Sequence, residues 1–221
     1  MDEEAMKTLS AGAAAIGVRL GSAELDRFAC YHREILLWNR RINLVSERSS
    51  REIVMRHFLD SLTPAPFLDQ PAGAMIDLGS GGGFPGIPLR IALPGLRLWL
   101  VEISRKKSSF LSHAVRALGL DGVQVIRERA EALSTGGLSG RFDSVISRAA
   151  FKLPDLVRTA AFFLKPGGQL VAMKGPDPGE EMAETEPILE AAGMAFAACR
   201  SVRPPGADSL RNIIIYNRDF L

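Results

Sequence analysis

Met75-Ile76-Asp77-Leu78-Gly79-Ser80-Gly81-Gly82-Gly83-Phe84-Pro85-Gly86 reads as an apolar strand, then a glycine loop, then the start of a helix. Gly79, Gly81 and Gly83 carry no Cβ, so the backbone can turn sharply and bring its amides close to a ligand. Asp77, just before the loop, is placed to accept hydrogen bonds from it and hold its shape. The spacing Gly81-x-Gly83-x-x-Gly86, with Glu102 at the end of the next strand, also satisfies the dinucleotide pattern, so the spacing alone leaves two cofactor classes open. A plain strand-to-helix turn is a third, less demanding reading.

The order Asp77-Leu78-Gly79-Ser80-Gly81 resembles the cofactor loop of class I methyltransferases, which bind S-adenosylmethionine. In that resemblance the loop passes around the amino-acid end and sugar of the ligand instead of gripping a pyrophosphate.

Around this loop the chain alternates. Strand candidates are Ala74 to Leu78, Leu96 to Glu102, Val123 to Arg127, Phe142 to Ser147 and Gln169 to Lys174. Helical stretches fall near Ile87 to Leu93, Ser104 to Leu118 and Leu153 to Leu164. Short apolar strands separated by amphipathic helices argue for an α/β fold with a mostly parallel sheet covered on both faces. After a helix near Glu181 to Ala192, the runs Ala195 to Val202 and Asn212 to Asn217 flank Pro204-Pro205-Gly206 and read as a C-terminal antiparallel hairpin. That ending suits the class I methyltransferase plan better than a dehydrogenase. Lys165-Pro166-Gly167-Gly168 reads as a turn between helix and strand. Upstream, Ser22 is expected to cap a helix carrying Leu25, Phe28, Ile35 and Trp38, and Ser49 or Ser50 another carrying Ile53, Phe58 and Leu62. The expected organisation is a helical extension over 1–66 and one compact cofactor-binding core over 67–221.

At 221 residues, 47% hydrophobic and 24% charged, the chain suffices for one well-buried core. The acidic start Met1-Asp2-Glu3-Glu4 fits neither a secretory signal nor a membrane span, so a cytoplasmic protein is expected. Cys30 and Cys199 have no zinc spacing, and His32, His57 and His113 are scattered, so no metal is expected. The net charge of +2 hides an uneven distribution: six arginines against three glutamates between His32 and His57, and no acid from Ser104 to Leu120. Asp177 to Glu190 reverses this, with six acids and no base. A basic face opposed to an acidic one suits a polyanion held in one orientation.

Glu102 lies 25 positions after Asp77, where a doubly wound sheet presents its carboxyl edge, and can accept both ribose hydroxyls of an adenosine. Neutralisation by Arg105 or Lys106 is its competing explanation. Phe84 would supply backbone or apolar contact to the cofactor, and Ala130-Glu131, after the third strand, would meet the adenine edge. Arg105, Lys106 and Lys107 occupy the first turn of a helix, where cations oppose the helix dipole, so local stability would not choose them; phosphate contact is one reading and a solvated helix face with buried alkyl stems is the other. Arg148 ends the fourth strand and Lys174 the fifth, framing the place where a methyl group would be presented. The fourth strand ends in no Asn-Pro-Pro-Tyr-like motif and in no cysteine. That argues against exocyclic amine methylation and against covalent activation of a pyrimidine carbon.

With these residues in place the chain resembles the RsmG (GidB) family of bacterial small-subunit ribosomal RNA methyltransferases, which modify guanine at N7. The resemblance rests on Leu37-Trp38-Asn39-Arg40-Arg41-Ile42-Asn43-Leu44, Arg56-His57-Phe58-Leu59-Asp60-Ser61, Gly79 to Leu89, Arg129-Ala130-Glu131 and Ser147-Arg148-Ala149. It implies that Gly79, Phe84, Ala130, Glu131 and Arg148 contact S-adenosylmethionine. It also implies that Lys106, Lys107, Arg129, Arg148 and Lys174 lie near 16S rRNA of the small ribosomal subunit. Glu102 stands where relatives often carry Asp, and Ala150-Phe151-Lys152 varies a segment near the site. The acceptor N7 exposes a lone pair in the ring plane, so the implied reaction needs no general base, and Arg148 acts by positioning. An arginine bidentate to O6 and N7 would block the nucleophile, so Arg148 or Lys174 is expected on O6, a phosphate or the cofactor carboxylate. A monomer is the default. The alternatives are an NAD(P)-dependent Rossmann oxidoreductase, for which no acid/base set is evident, and a non-catalytic ribosome-assembly factor.

Overall fold

The computed structural model describes residues 1–47, 49–130, 132–133 and 137–219. β1 (Ala74–Leu78) is buried at every position, as a central strand covered on both faces must be. It pairs in parallel with β2 (Arg97–Val101) on one side and β4 (Phe142–Arg148) on the other. β3 (Val123–Ile126), β5 (Leu164–Lys174), β6 (Met194–Val202) and β7 (Arg211–Arg218) complete a seven-stranded sheet in the order β3-β2-β1-β4-β5-β7-β6. β7 enters antiparallel between β5 and β6, so the expected C-terminal hairpin is present.

The strand bounds lie close to those expected, with one instructive difference. β5 begins at Leu164, five residues before the expected Gln169, and takes in Lys165-Pro166-Gly167-Gly168, which the sequence suggested was a turn. Leu164 pairs with Phe142, and the register then shifts before Ser144 and Gln169, so these residues form a bulge in the strand. Asp143 sits at the shift, where its carboxylate accepts from Lys165 Nζ at 2.6 Å and from the Ala74 amide at 2.7 Å.

Helices cover both faces. On one face α5 (Gly86–Ala92) and α6 (Arg105–Ala117) join the N-terminal helices α1 (Glu3–Ala15), α2 (Ser22–Asn39) and α3 (Ser50–Ile53). α3 continues through a π-helical stretch, Val54–Leu59, into α4 (Asp60–Leu62). Phe28, Ile53 and Phe58 from these helices share one apolar cluster with Met75, Leu98 and Leu100 of the sheet. On the other face α7 (Leu153–Phe163), α8 (Gly179–Thr185) and α9 (Leu189–Ala192) cover a second cluster around Ile76, Val145 and Leu170.

Three helix details depart from expectation. α1 was not anticipated; the Asp2 carboxylate accepts from the Ala5 amide at 2.8 Å and starts it. Ser22 is the first helical residue of α2, not its cap; Gly21 precedes it, and Glu24 reaches back to the Gly21 amide at 2.9 Å. The expected helix from Glu181 to Ala192 is broken into α8 and α9 by a 3-10 turn at Glu186–Ile188, because Pro187 has no N–H to continue the ladder. Ser49 does cap α3, in a reciprocal pairing with Glu52.

Candidate active site

The strand order reverses between β1 and β4, and the carboxyl ends of those strands open the crevice where doubly wound sheets place ligands. The glycine loop lies there. The Gly79 and Ser80 amides both donate to the Val101 carbonyl at 3.0 Å, and Ser80 Oγ donates to the Asp77 carbonyl at 3.0 Å, so the loop is tied to the ends of β1 and β2.

Asp77 is fully buried beneath the loop. Its Oδ2 accepts from the Gly86 amide at 3.0 Å, which is how the carboxylate spans the turn. Gly86 has to be glycine for this approach: a Cβ there would stand 2.7 Å from Asp77 Oδ2 and from Leu100 Cδ2. The other oxygen, Oδ1, has no partner among the described residues. Burial pushes the Asp77 carboxyl up to about 7, against the opposing pull of the Gly86 amide and the Arg148 charge.

Glu102 follows β2 and is also buried. Its Oε2 accepts from the Gly81 amide at 2.9 Å and its Oε1 from the Ser104 amide at 2.8 Å. Backbone amides therefore hold the carboxylate, rather than the Arg105 or Lys106 side chains that offered the competing explanation. An ionised carboxylate has about four lone-pair sites, so two amides leave acceptor capacity for hydroxyls. Ile103, next in the chain, is an apolar residue 52% exposed, to which the sequence reading assigned no role.

The loop is also gripped from the N-terminal helices. Tyr31 of α2 donates its hydroxyl to the Gly82 carbonyl in a buried hydrogen bond. Gly83, at φ +93°, lies so close that a Cβ would be 2.6 Å from both Tyr31 Oη and Ile87 Cδ1. The Phe84 ring is buried among Tyr31, Phe58 and His57, so what this residue offers a ligand is backbone.

Arg148 stands at the end of β4 with its guanidinium 5.1 Å from the centre of the Phe84 ring. Its Nη1 binds Asp60 Oδ2 at 2.9 Å and the Arg56 carbonyl at 3.3 Å, and its Nη2 donates to His57 Nδ1 at 3.2 Å. Because Nδ1 accepts there, His57 Nε2 carries the proton and donates to Glu47 Oε2 at 2.6 Å. Burial lowers the His57 pKa, an effect the Glu47 hydrogen bond opposes and the Arg148 charge reinforces. Burial would raise Glu47, but its hydrogen bonds, first that from His57, hold it at about 2. Asp60 also receives Arg211 of β7, at 2.7 and 3.1 Å. The sequence reading assigned no role to Asp60, His57, Tyr31 or Arg211; the run Arg56 to Ser61 was the available signal for the first two.

The remaining expected residues are spread around this centre. Ala130 is buried and Arg129 exposed after β3, while Glu131 lies outside the described residues. Arg105 and Lys106 are exposed and Lys107 half-buried at the start of α6. Lys174 is not a free surface cation: its buried ammonium donates to Glu181 Oε2 and to the Phe151 carbonyl, each at 2.7 Å.

A family model described as GidB, rRNA small subunit methyltransferase G, matches residues 24–203. The chain belongs to the GidB family. It is 45% identical over 208 residues to the ribosomal RNA small subunit methyltransferase G of Syntrophus aciditrophicus (strain SB), covering 93% of this chain and 86% of that protein. It is 40% identical over 218 residues to the protein of the same name from Geobacter metallireducens (strain ATCC 53774 / DSM 7210 / GS-15), covering 99% and 98%. Among solved structures, M. jannaschii TYW2 in complex with AdoMet shares the fold, with a TM-score of 0.54 and 15% identity over 69% of this chain and 74% of that one.

As a GidB-family member the chain is an S-adenosylmethionine-dependent methyltransferase. Its residues fit that cofactor: the unpartnered Asp77 Oδ1 suits a cationic ligand, and the Glu102 carboxylate, held by amides, keeps acceptor capacity toward ribose. The family match sets aside the nicotinamide oxidoreductase and the non-catalytic factor. Among the described residues no helix is long and apolar enough to cross a membrane.

Proposed function

We propose that this GidB-family enzyme methylates N7 of a guanine in 16S rRNA of the bacterial small ribosomal subunit, acting in the cytoplasm. The observation that carries the choice of acceptor is the state of His57. This imidazole lies beside Arg148 and has both ring nitrogens engaged, one by Arg148 and one by Glu47. A site whose nearby imidazole is committed to holding an arginine suits a nucleophile that needs no deprotonation, and N7 of guanine is one.

S-adenosylmethionine, when bound, supplies an electrophilic methyl group on a sulfonium. The chain's own residues bind and orient. Glu102 accepts the ribose hydroxyls, Asp77 and the glycine loop receive the amino-acid end, and Ala130 and Ile103 flank the adenine. Arg148, fixed by Asp60 and His57 over Phe84, keeps its Nε–H without a partner among the described residues. That donor is suited to O6 of the guanine or to a phosphate, leaving N7 bare. Arg105, Lys106, Lys107 and Arg129 meet RNA phosphates. Alignment of nucleophile and methyl carbon in a site closed to water supplies the acceleration, an effect that reaches roughly 7 to 11 kcal/mol in well-oriented systems.

Titration with S-adenosylmethionine and, separately, with NADH tests the site. Uptake of the first alone, weakened in Glu102→Gln, is expected; uptake of NADH alone contradicts the reading. Incorporation of labelled methyl into small subunits from a strain lacking the modification, and not into bulk protein, tests the substrate.

A further inference from the structure

Between the end of α2 and the start of α6 runs a groove of about 850 Å³. Its apolar wall is Leu37, 48% exposed, with the half-buried ring of Trp38. Arg40, Arg41, Arg105 and Lys106 surround this wall, all four exposed. Among the described residues no carboxylate lines the groove, and none of these four cations takes part in an ion pair. Some other cations are instead committed to carboxylates: Arg33, Arg51, Arg56, Arg148, Arg158 and Arg211 each meet one. Trp38 is fixed in place by edge contact with Phe110 at 5.7 Å and by His113 at 5.3 Å.

We propose that this groove binds a single-stranded RNA segment flanking the target guanine, with a base laid on Leu37 and Trp38 and phosphates on Arg40, Arg41, Arg105 and Lys106. The inference rests on the RNA-methyltransferase reading and deepens it, giving the end of α2 a part in RNA recognition. Charge complementarity selects the occupant: four unpaired cations around an apolar and aromatic wall match a polyanion with flat apolar rings, and match an acidic peptide less well because it lacks the rings. Geometry selects single-stranded RNA. N7 faces the deep, narrow major groove of an A-form helix, which side chains cannot read, so the target has to be presented from unpaired RNA with its neighbours splayed. The groove is also in the right place. Ser104 caps α6 and donates its amide to Glu102, so one residue joins the expected ribose carboxylate to the Arg105 and Lys106 rim.

The chain has two tryptophans, so Trp99→Phe leaves Trp38 as the sole reporter. Titrating that variant with an unstructured oligoribonucleotide is expected to quench Trp38 emission, with quenching that weakens as salt rises. The double variant Arg40→Gln/Arg41→Gln, in the otherwise native protein, is expected to bind the same RNA about tenfold more weakly and to lower the slope of log K against log salt by roughly 1.4. Its affinity for S-adenosylmethionine is expected to stay that of wild type. Wild-type RNA affinity and salt slope in the double variant would overturn the proposal, as would unchanged Trp38 emission at RNA concentrations that bind by mobility shift. The two readings separate cleanly. Methylation of subunits by wild type together with an indifferent double variant removes the groove and keeps the function. Trp38 quenching and the Arg40/Arg41 effect without methyl transfer keep the groove and remove the function.

Discussion

Asp60, at the end of the π-helical stretch, binds Arg148, at the end of β4, at 2.9 Å with its side chain only 3% exposed. The pairing fixes the guanidinium assigned to guanine from an element outside the sheet, and Arg211 shares the same carboxylate. Asp60→Ala leaves both cations uncompensated in a largely buried place. The expected cost is about 3 to 5 kcal/mol, read by urea unfolding. Adding Arg148→Ala should recover part of that stability but none of the methyl transfer, whereas additive losses would show that the pair is not coupled.

Tyr31→Phe removes one hydroxyl and leaves the buried Gly82 carbonyl without its donor. A loss of about 1 to 3 kcal/mol in stability is expected, with weaker cofactor binding because the glycine loop loses its tie to α2. Calorimetric affinity equal to wild type would show that the loop holds its shape without that tie.

Gly81 and Gly83 should answer differently to alanine. At Gly83 a Cβ meets Tyr31 Oη and Ile87 Cδ1 at 2.6 Å on a backbone of φ +93°, so Gly83→Ala is expected to unfold more easily, by at least about 1 to 2 kcal/mol. At Gly81 the nearest atom to a Cβ is the Gly79 carbonyl oxygen at 3.9 Å, so only the backbone strain at φ +58° opposes it within the fold. Gly81→Ala should therefore lose more cofactor affinity than stability. A melting temperature for Gly81→Ala as low as that of Gly83→Ala would contradict this division.

The Asp77 carboxyl, raised to about 7 in the fold against 3.8 when exposed, binds a proton on folding between those values. Stability that Asp77 contributes is thus complete below about 3.8 and is lost as pH rises through about 7. Asp77→Asn should flatten that portion of the stability profile. A cationic donor near Asp77 favours its ionised form, so cofactor binding should release a proton below about pH 7 and tighten as pH rises to that point. Titration calorimetry in two buffers of different ionisation enthalpy reads the proton; identical heats in both buffers would contradict the expectation.

Much of the fold was legible because it is local. β1 runs from Ala74 to Leu78 as expected, since a buried strand shows as a short, mostly apolar run, broken here only by Asp77, that ends at a glycine. Glu102 was placed by the same logic, at the end of the next strand. What escaped was long-range. Asp60 and Arg211 are 151 positions apart, and Tyr31 and Gly82 are 51 apart; neither pairing leaves a period or a spacing in the chain. Lys174 was correctly put at a strand end, yet its partner Glu181 comes from α8, so a cation that looked free is committed to the fold. The α1 helix was hidden by its Ala-rich, weakly patterned sequence, with Asp2 as its start signal.

The most direct measurement is chemical mapping of the product. Small subunits lacking the modification are incubated with the enzyme and S-adenosylmethionine, and their rRNA is then treated with borohydride and aniline, which cut the chain at N7-methylguanosine. Scission at one guanine of 16S rRNA, dependent on both enzyme and cofactor and lost in Glu102→Gln, is the predicted result. Methyl incorporation without any new scission site, or no incorporation by folded enzyme, would contradict the account.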